Sequence, residues 1–292
     1  MGEDGALSYK TYLPIVHMGG IGTVLHGVGA TYRQCNYMPL VGAKWYYDWS
    51  TSPPACPGVE NIGMLWGRDS VGLPIDSSTV LWFNEPENNQ QSNMTPEVAA
   101  QLWNANIGMY VGKKNISPAV YTLSWLSRFL VLVSKKPDAL AIHLYAWRTL
   151  SEEIQIAQNF FGQAVDLAQM HGINEIWLTE WAGLHGWMGM GPALEYERMM
   201  LKEILPTFPM ITRQAWFQLS YHGTEEWAFG PDCNTSLVNM DTGQITEFGQ
   251  VYIDAIGRPI TDPRADVNED GRIDIFDIVR VAFHFGEGES NT

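Results

Sequence analysis

Eight apolar runs separated by polar loops and amphipathic stretches limit what this 292-residue chain can fold into. They cover residues 28–32, 43–49, 62–66, 79–84, 115–120, 139–145, 175–179 and 212–219. Each is too short for a buried helix and too continuously apolar for a strand with one wet face. They read as strands buried on both sides, as in a parallel sheet. Helices with legible ends lie between them. Thr95-Pro96-Glu97 supplies a cap, a first-turn proline and a negative charge, followed by the stripe Val98, Leu102, Trp103, Ile107. Ser151-Glu152-Glu153 opens another, whose stripe runs through Ile154, Ala157, Phe161, Ala164, Val165 and Ala168 and stops at Gly172. Eight strands at this cadence predict an α/β fold, a (β/α)8 TIM barrel over residues 26–260. An open doubly wound sheet is the competing arrangement, but no glycine-rich phosphate loop follows the first run. Residues 1–25, polar and glycine-rich around the island Tyr12-Leu13-Pro14-Ile15-Val16, read as a leader or linker.

Two runs end in a carboxylate, Leu81-Trp82-Phe83-Asn84-Glu85-Pro86 and Ile176-Trp177-Leu178-Thr179-Glu180-Trp181. They are the fourth and seventh runs, and a barrel brings the C-terminal ends of its strands to one face. Two facing carboxylates about 5 Å apart suit retaining cleavage of a glycosidic bond, and a gap of about 6.5–9.5 Å suits inversion. The two must sit in unlike surroundings, one protonated and one bare. Asn84 and Pro86 flank Glu85, while Trp181 adjoins Glu180 and Tyr145 ends the neighbouring strand. Against this stands the reading of both glutamates as salt-bridged rim carboxylates. His143 is either a partner of a carboxylate or sugar, or an ordinary hydrogen-bonded core histidine. Asp48, Asp69 and Glu87 read as cleft hydrogen-bonders or solvated charges, and Trp103 as core.

Charge sets the substrate class. With 17 Lys and Arg against 32 Asp and Glu, the net charge of −15 repels nucleic acid and anionic membranes and fits a neutral substrate. The 12 tryptophans and 12 tyrosines exceed the needs of one core and suggest stacking on sugar rings, although plain packing serves as well for any single one. The greasy stretch 126–133 is cut by Arg128, so no segment approaches a bilayer span. Met1-Gly2-Glu3-Asp4 carries no signal-peptide pattern, which leaves destination open. Cys35, Cys56 and Cys233 match no zinc spacing; a Cys35–Cys56 disulfide in an exported protein and three free thiols both stand.

The pair Asn84-Glu85-Pro86 and Glu180 resembles the signature of clan A glycoside hydrolases. A closer resemblance, to glycoside hydrolase family 128, rests on Lys44-Trp45-Tyr46-Tyr47-Asp48-Trp49, Met64-Leu65-Trp66-Gly67, Phe83-Asn84-Glu85-Pro86-Glu87, Gln91-Ser92-Asn93-Met94-Thr95-Pro96 with Ala99-Ala100-Gln101-Leu102-Trp103, Ile142-His143-Leu144-Tyr145, and Trp177-Leu178-Thr179-Glu180-Trp181-Ala182. The resemblance implies a secreted, retaining endo-β-1,3-glucanase that needs no cofactor for catalysis. It implies Glu85 as acid/base, Glu180 as nucleophile, Asn84 and Tyr145 as helpers, and Trp45, Trp66, Trp181 and Trp216 as sugar platforms; His143, by its place beside Tyr145 in the same run and not by the resemblance, is a further substrate-binding candidate. The sequence departs from the family at Tyr145-Ala146, where an aromatic pair is frequent, and Trp147 comes next. A β-1,4-glycan hydrolase and a non-catalytic glycan-binding module are the alternatives.

Composition changes after Gly257-Arg258-Pro259. Asp266, Asn268, Asp270, Asp274 and Asp277 place oxygen ligands at positions 1, 3, 5, 9 and 12 of a calcium loop, with Gly271 at position 6 and the Arg272 carbonyl at position 7. Residues 261–292 resemble one repeat of a type I dockerin, whose complete form has two. The resemblance implies bound Ca2+ and a cohesin-type partner; the other reading is a calcium-stabilised tail packed on the barrel.

Overall fold

The computed structural model describes residues 24–31, 34–221 and 234–257. The calcium-loop candidates Asp266, Asn268, Asp270, Arg272, Asp274 and Asp277 lie outside the described residues, as do Tyr32 and Cys233. Nine strands form one sheet: β1 (Leu25–Gly29), β2 (Trp45–Tyr47), β3 (Glu60–Asn61), β4 (Gly63–Leu65), β5 (Thr79–Asn84), β6 (Lys114–Val120), β7 (Ala139–Ala146), β8 (Ile176–Gly183) and β9 (Ile211–Phe217). Every pairing is parallel, in the order β3-β2-β1-β9-β8-β7-β6-β5-β4. Only Ile62 separates β3, which pairs with β2, from β4, which pairs with β5. The two are one stave whose halves bond to different neighbours, as the stagger of a closing barrel requires, so the expected eight-stave ring is present. The first run begins earlier than the apolar pattern suggests, at Leu25, because β1 pairs with β9 from that residue onward.

Alternation sorts the side chains into two cores. Trp45, Tyr47, Met64, Leu81, Ala141, Trp177 and Ala215 fill the barrel interior. Their chain neighbours Tyr46, Leu65, Val80, Trp82, Leu140, Ile142, Ile176, Leu178 and Trp216 face outward under the helices. Interior packing leaves no slack at Gly27, where a Cβ would sit 2.4 Å from the Trp45 indole. The helices are α1 (Pro96–Asn106), α2 (Leu123–Leu132), α3 (Leu150–Met170), α4 (His185–Met188), α5 (Met190–Met199) and α6 (Glu247–Ile256). Thr95 caps α1 through the Val98 N–H, and α3 opens one residue before the expected Ser151, with Thr149 and Glu152 forming a capping box. Among the described residues no helix is long and apolar enough to cross a membrane. Cys35 and Cys56, in the loops after β1 and β2, are joined by a disulfide.

Candidate active site

Both glutamates reach the barrel mouth through a break in strand alternation. In β8, His143 of β7 pairs with Glu180 while Ile142 pairs with Leu178, leaving Thr179 as an extra residue. That bulge flips the parity of everything after it. Strict alternation from the inward Trp177 would aim Trp181 into the barrel; the bulge aims Glu180 inward and packs Trp181 in the outer core. β5 does the same beside β6, where Trp82 pairs with Pro118 and Asn84 with Ala119 across an unpaired Phe83. Phe83 and Glu85 both adopt left-handed backbone, at φ 37° and 41°. Side chains rarely tolerate that region, and such strain concentrates where a side chain must be aimed.

The two carboxylates have different partners. Glu180 Oε1 accepts from the Tyr47 hydroxyl and the Trp49 indole, each at 3.0 Å, and Oε2 accepts from the Tyr145 hydroxyl at 2.9 Å. Glu85 Oε1 lies 2.9 Å from His143 Nδ1, and Oε2 accepts from the Asn88 amide at 3.2 Å. His143, fully buried, also places Nδ1 3.5 Å from Glu180 Oε2. One oxygen of each glutamate and a ring nitrogen thus all lie within 4.8 Å of one another.

Burial pushes the Glu180 carboxyl above the usual carboxylate range, with His143 opposing and Glu85 reinforcing the rise. Burial also pushes Glu85 up, but the His143 hydrogen bond and charge and the Asn88 amide outweigh it and hold Glu85 below that range. Burial lowers His143, and the charges of Glu180 and Glu85 more than reverse this. The Coulombic part of the pull on Glu85 operates only while His143 is charged, whereas the Nδ1–H and Asn88 hydrogen bonds persist with a neutral ring. Hydrogen bonding argues for the neutral ring: Nε2 is buried without a partner, which costs less as a lone pair than as an N–H. With Nδ1–H donating, two repelling carboxyls share one proton. It rests best on Glu85, because Glu180 already accepts from three donors, one of them an indole N–H that can accept nothing in return.

The other expected site residues divide sharply. Tyr145 touches Glu180, and Asn84 precedes Glu85 with its amide donating to Gln91 Oε1 at 3.2 Å. Trp66 is 37% exposed and lines a cavity of about 490 Å³ with Arg68, Asp69, Ser92 and Asn93, beside the glutamates rather than around them. Trp45, Trp181 and Trp216 are fully buried, their indole N–H groups donating to Leu25 O, Gln214 Oε1 and Thr235 O. They are core residues with no face for a sugar, because β2 and β9 and the β8 bulge turn them into packed layers. His143 is likewise too deep to touch a sugar and lies beneath the carboxylates. Three Glu180 and Glu85 partners went unassigned by sequence: Tyr47, Trp49 and Asn88. The first two share one face with Trp45 at alternate positions, a signal that could have found them. Exposed aromatics just beyond strand ends are Trp66, Tyr121, Trp147 and, on α4, Trp187.

A parallel barrel with two facing glutamates this close at the C-terminal ends of its strands has the architecture of a two-carboxylate glycoside hydrolase. The chain belongs to the glycosyl hydrolase catalytic core family, whose model matches residues 28–252. No curated protein matches it. Among solved structures it is similar to a variant of a family 128 (subgroup I) endo-β-1,3-glucanase from Amycolatopsis mediterranei in complex with laminaripentaose. That match has a TM-score of 0.61 at 26% identity and covers 80% of this chain and 100% of that one. It is similar also to a curdlan-specific exo-β-1,3-glucanase (subgroup III) from Blastomyces gilchristii in complex with glucose, with a TM-score of 0.60, 26% identity, and 80% and 98% coverage. A subgroup II endo-β-1,3-glucanase from Sorangium cellulosum, 21% identical with a TM-score of 0.61 and coverage of 80% and 98%, shares the fold.

Proposed function

We propose that this protein is a retaining endo-β-1,3-glucanase, and the observation that carries the reading is the Glu85–His143–Glu180 cluster, with its ligand atoms within 4.8 Å of one another. That spacing leaves no room for a water between carboxylate and sugar, which favours the two-step route with retention. Glu85 protonates the glycosidic oxygen as Glu180 attacks the anomeric carbon, forming a glycosyl-enzyme. Glu85 then takes a proton from water, which displaces Glu180. Tyr47, Trp49 and Tyr145 keep Glu180 ionised and fixed in direction. Trp66 and Trp147 offer apolar faces to the sugar rings at the rim. β-1,3-Glucan as substrate rests on the solved relatives, two of which hold laminaripentaose or glucose. Export is supported by the Cys35–Cys56 disulfide, which suits an oxidising compartment. Calcium at Asp266 through Asp277, and any cohesin-type partner, rest on residue spacing alone.

Product analysis on laminarin, curdlan, mannan and carboxymethyl cellulose tests the reading. Laminarin and curdlan should yield oligosaccharides of retained configuration, and Glu180→Gln should lose turnover by several orders of magnitude while still folding. A Glu180→Gln enzyme as fast as the parent would remove Glu180 as nucleophile, and cleavage confined to β-1,4-linked substrates would overturn the substrate class.

A further inference from the structure

A subsite for the sugar that departs rests on the glucanase reading and is built from groups that reading does not use. Tyr121 is the first residue beyond β6 and is 46% exposed. Its backbone is tied to the acid from two directions. The Glu85 N–H donates to Ala119 O at 2.9 Å, so the end of β6 lies against the chain that presents the acid. Glu87, two residues after Glu85, then reaches across: its Oε1 accepts from the Tyr121 N–H at 2.8 Å and the Thr122 N–H at 2.9 Å. One carboxylate thereby locks the turn that carries the ring and leaves the ring itself open. Burial first, then the charges of Glu87 and Glu85, raise the Tyr121 hydroxyl above its ordinary value, in keeping with the anchored turn beside the two glutamates. Glu85 acts on the oxygen that leaves with the aglycone, so a ring anchored to its flank faces the departing half of the substrate.

We propose that Tyr121 is the platform for the leaving-group glucosyl unit, and that Glu87 is its positioning residue. The ligand is a neutral pyranose whose C–H face stacks on the ring. An exposed aromatic ring on an anchored backbone has less entropy to lose on binding such a partner than one on a free loop.

Two substrates separate this from a structural role: laminaripentaose, which fills the leaving-group side, and β-laminaribiosyl fluoride, whose leaving group is a single fluorine. Tyr121→Leu should lower the ratio of kcat/KM on the pentaose to that on the fluoride roughly five- to tenfold. Tyr121→Phe, which keeps the ring, should restore the ratio. Glu87→Ala, which frees the turn but keeps the ring, should move the ratio the same way, and Glu87→Gln, which retains an acceptor oxygen, should recover part of it. An unchanged ratio in Tyr121→Leu, whether both activities fall together or neither does, would overturn the subsite while leaving the glucanase reading intact. A parent protein that turns over neither substrate would overturn that reading and the subsite with it.

Discussion

The two ends of the barrel are built on opposite terms. At the N-terminal floor, charges and rings are paired with one another. Arg213 of β9 pairs with Glu60 at 2.6 Å and lies 4.4 Å over the Trp177 ring. Glu175, just before β8, pairs with Lys114 and accepts from the Trp177 indole at 2.6 Å and the Thr212 hydroxyl at 2.7 Å. At the C-terminal mouth the balance reverses. Trp49, Phe83, Glu85 and Asn93, the non-glycine residues with positive φ among those described, all lie there. So do buried polar atoms without partners: His143 Nε2, Asn84 Oδ1, Glu87 Oε2 and Ser92 Oγ. The mouth holds strain and unspent hydrogen bonds that a substrate can use, and the floor supplies the stability that tolerates them.

The largest expected effect comes from the mouth and should leave stability alone. Glu85→Gln removes the proton donor and should lower kcat on laminaripentaose about 10²- to 10⁴-fold. It also removes a carboxylate from beside Glu180, so the melting temperature should stay level or rise. A fall of several degrees would show that the mouth carries stability after all, and would break the contrast between the two ends.

The floor should answer in the opposite sense. Arg213→Met deletes a cation packed on Trp177, leaves Glu60 unpaired, and should cost about 2 kcal/mol in urea unfolding. The Arg213 side chain is 17% exposed, which keeps the loss below that of a fully buried pair. Turnover in the folded population should remain within about twofold of the parent, because nothing in the ion pair reaches the carboxylates. A large loss of kcat with intact stability would mean that the floor helps to aim the site.

Legibility in the sequence divides along the same line. Buried parallel strands announce themselves by continuous apolar runs, so the eight staves were legible, and a carboxylate at the end of such a run is conspicuous enough to single out Glu85 and Glu180. Side-chain direction was not legible, because bulges at Phe83 and Thr179 have no composition signal and each reverses inward and outward for the residues after it. For that reason Trp181 reads as a cleft residue in the sequence and is packed outside the barrel in the fold. Trp45 and Trp49 are equivalent by alternation, and only the level each reaches along the barrel axis tells that one fills the interior while the other bonds to Glu180. Tyr121 gave no signal at all, since its role depends on a hydrogen bond to Glu87 across two loops.

His26 gives the smallest and finest test of the contrast, because it couples the floor to pH. It is the second residue of β1, and its Nδ1 accepts from the Gln214 amide at 3.0 Å. That amide also donates to Tyr252 at 2.8 Å, while Gln214 Oε1 accepts from Trp181. Protonating Nδ1 would set two donors face to face, and burial lowers the His26 pKa from 6.5 to about 4. A histidine depressed in the folded state binds its proton first when unfolded, so its contribution to stability is whole above pH 6.5 and is lost as pH falls toward 4. The ceiling is about 3 kcal/mol, and the partial exposure of the ring brings the expected loss to about 1–2 kcal/mol. Urea midpoints at pH 7, 5 and 4 should therefore fall less steeply in His26→Gln than in the parent, with turnover at pH 7 little changed. Parallel pH profiles for the two proteins would show that the acid sensitivity of the fold originates elsewhere, and the carboxylates of the mouth would be the next groups to replace.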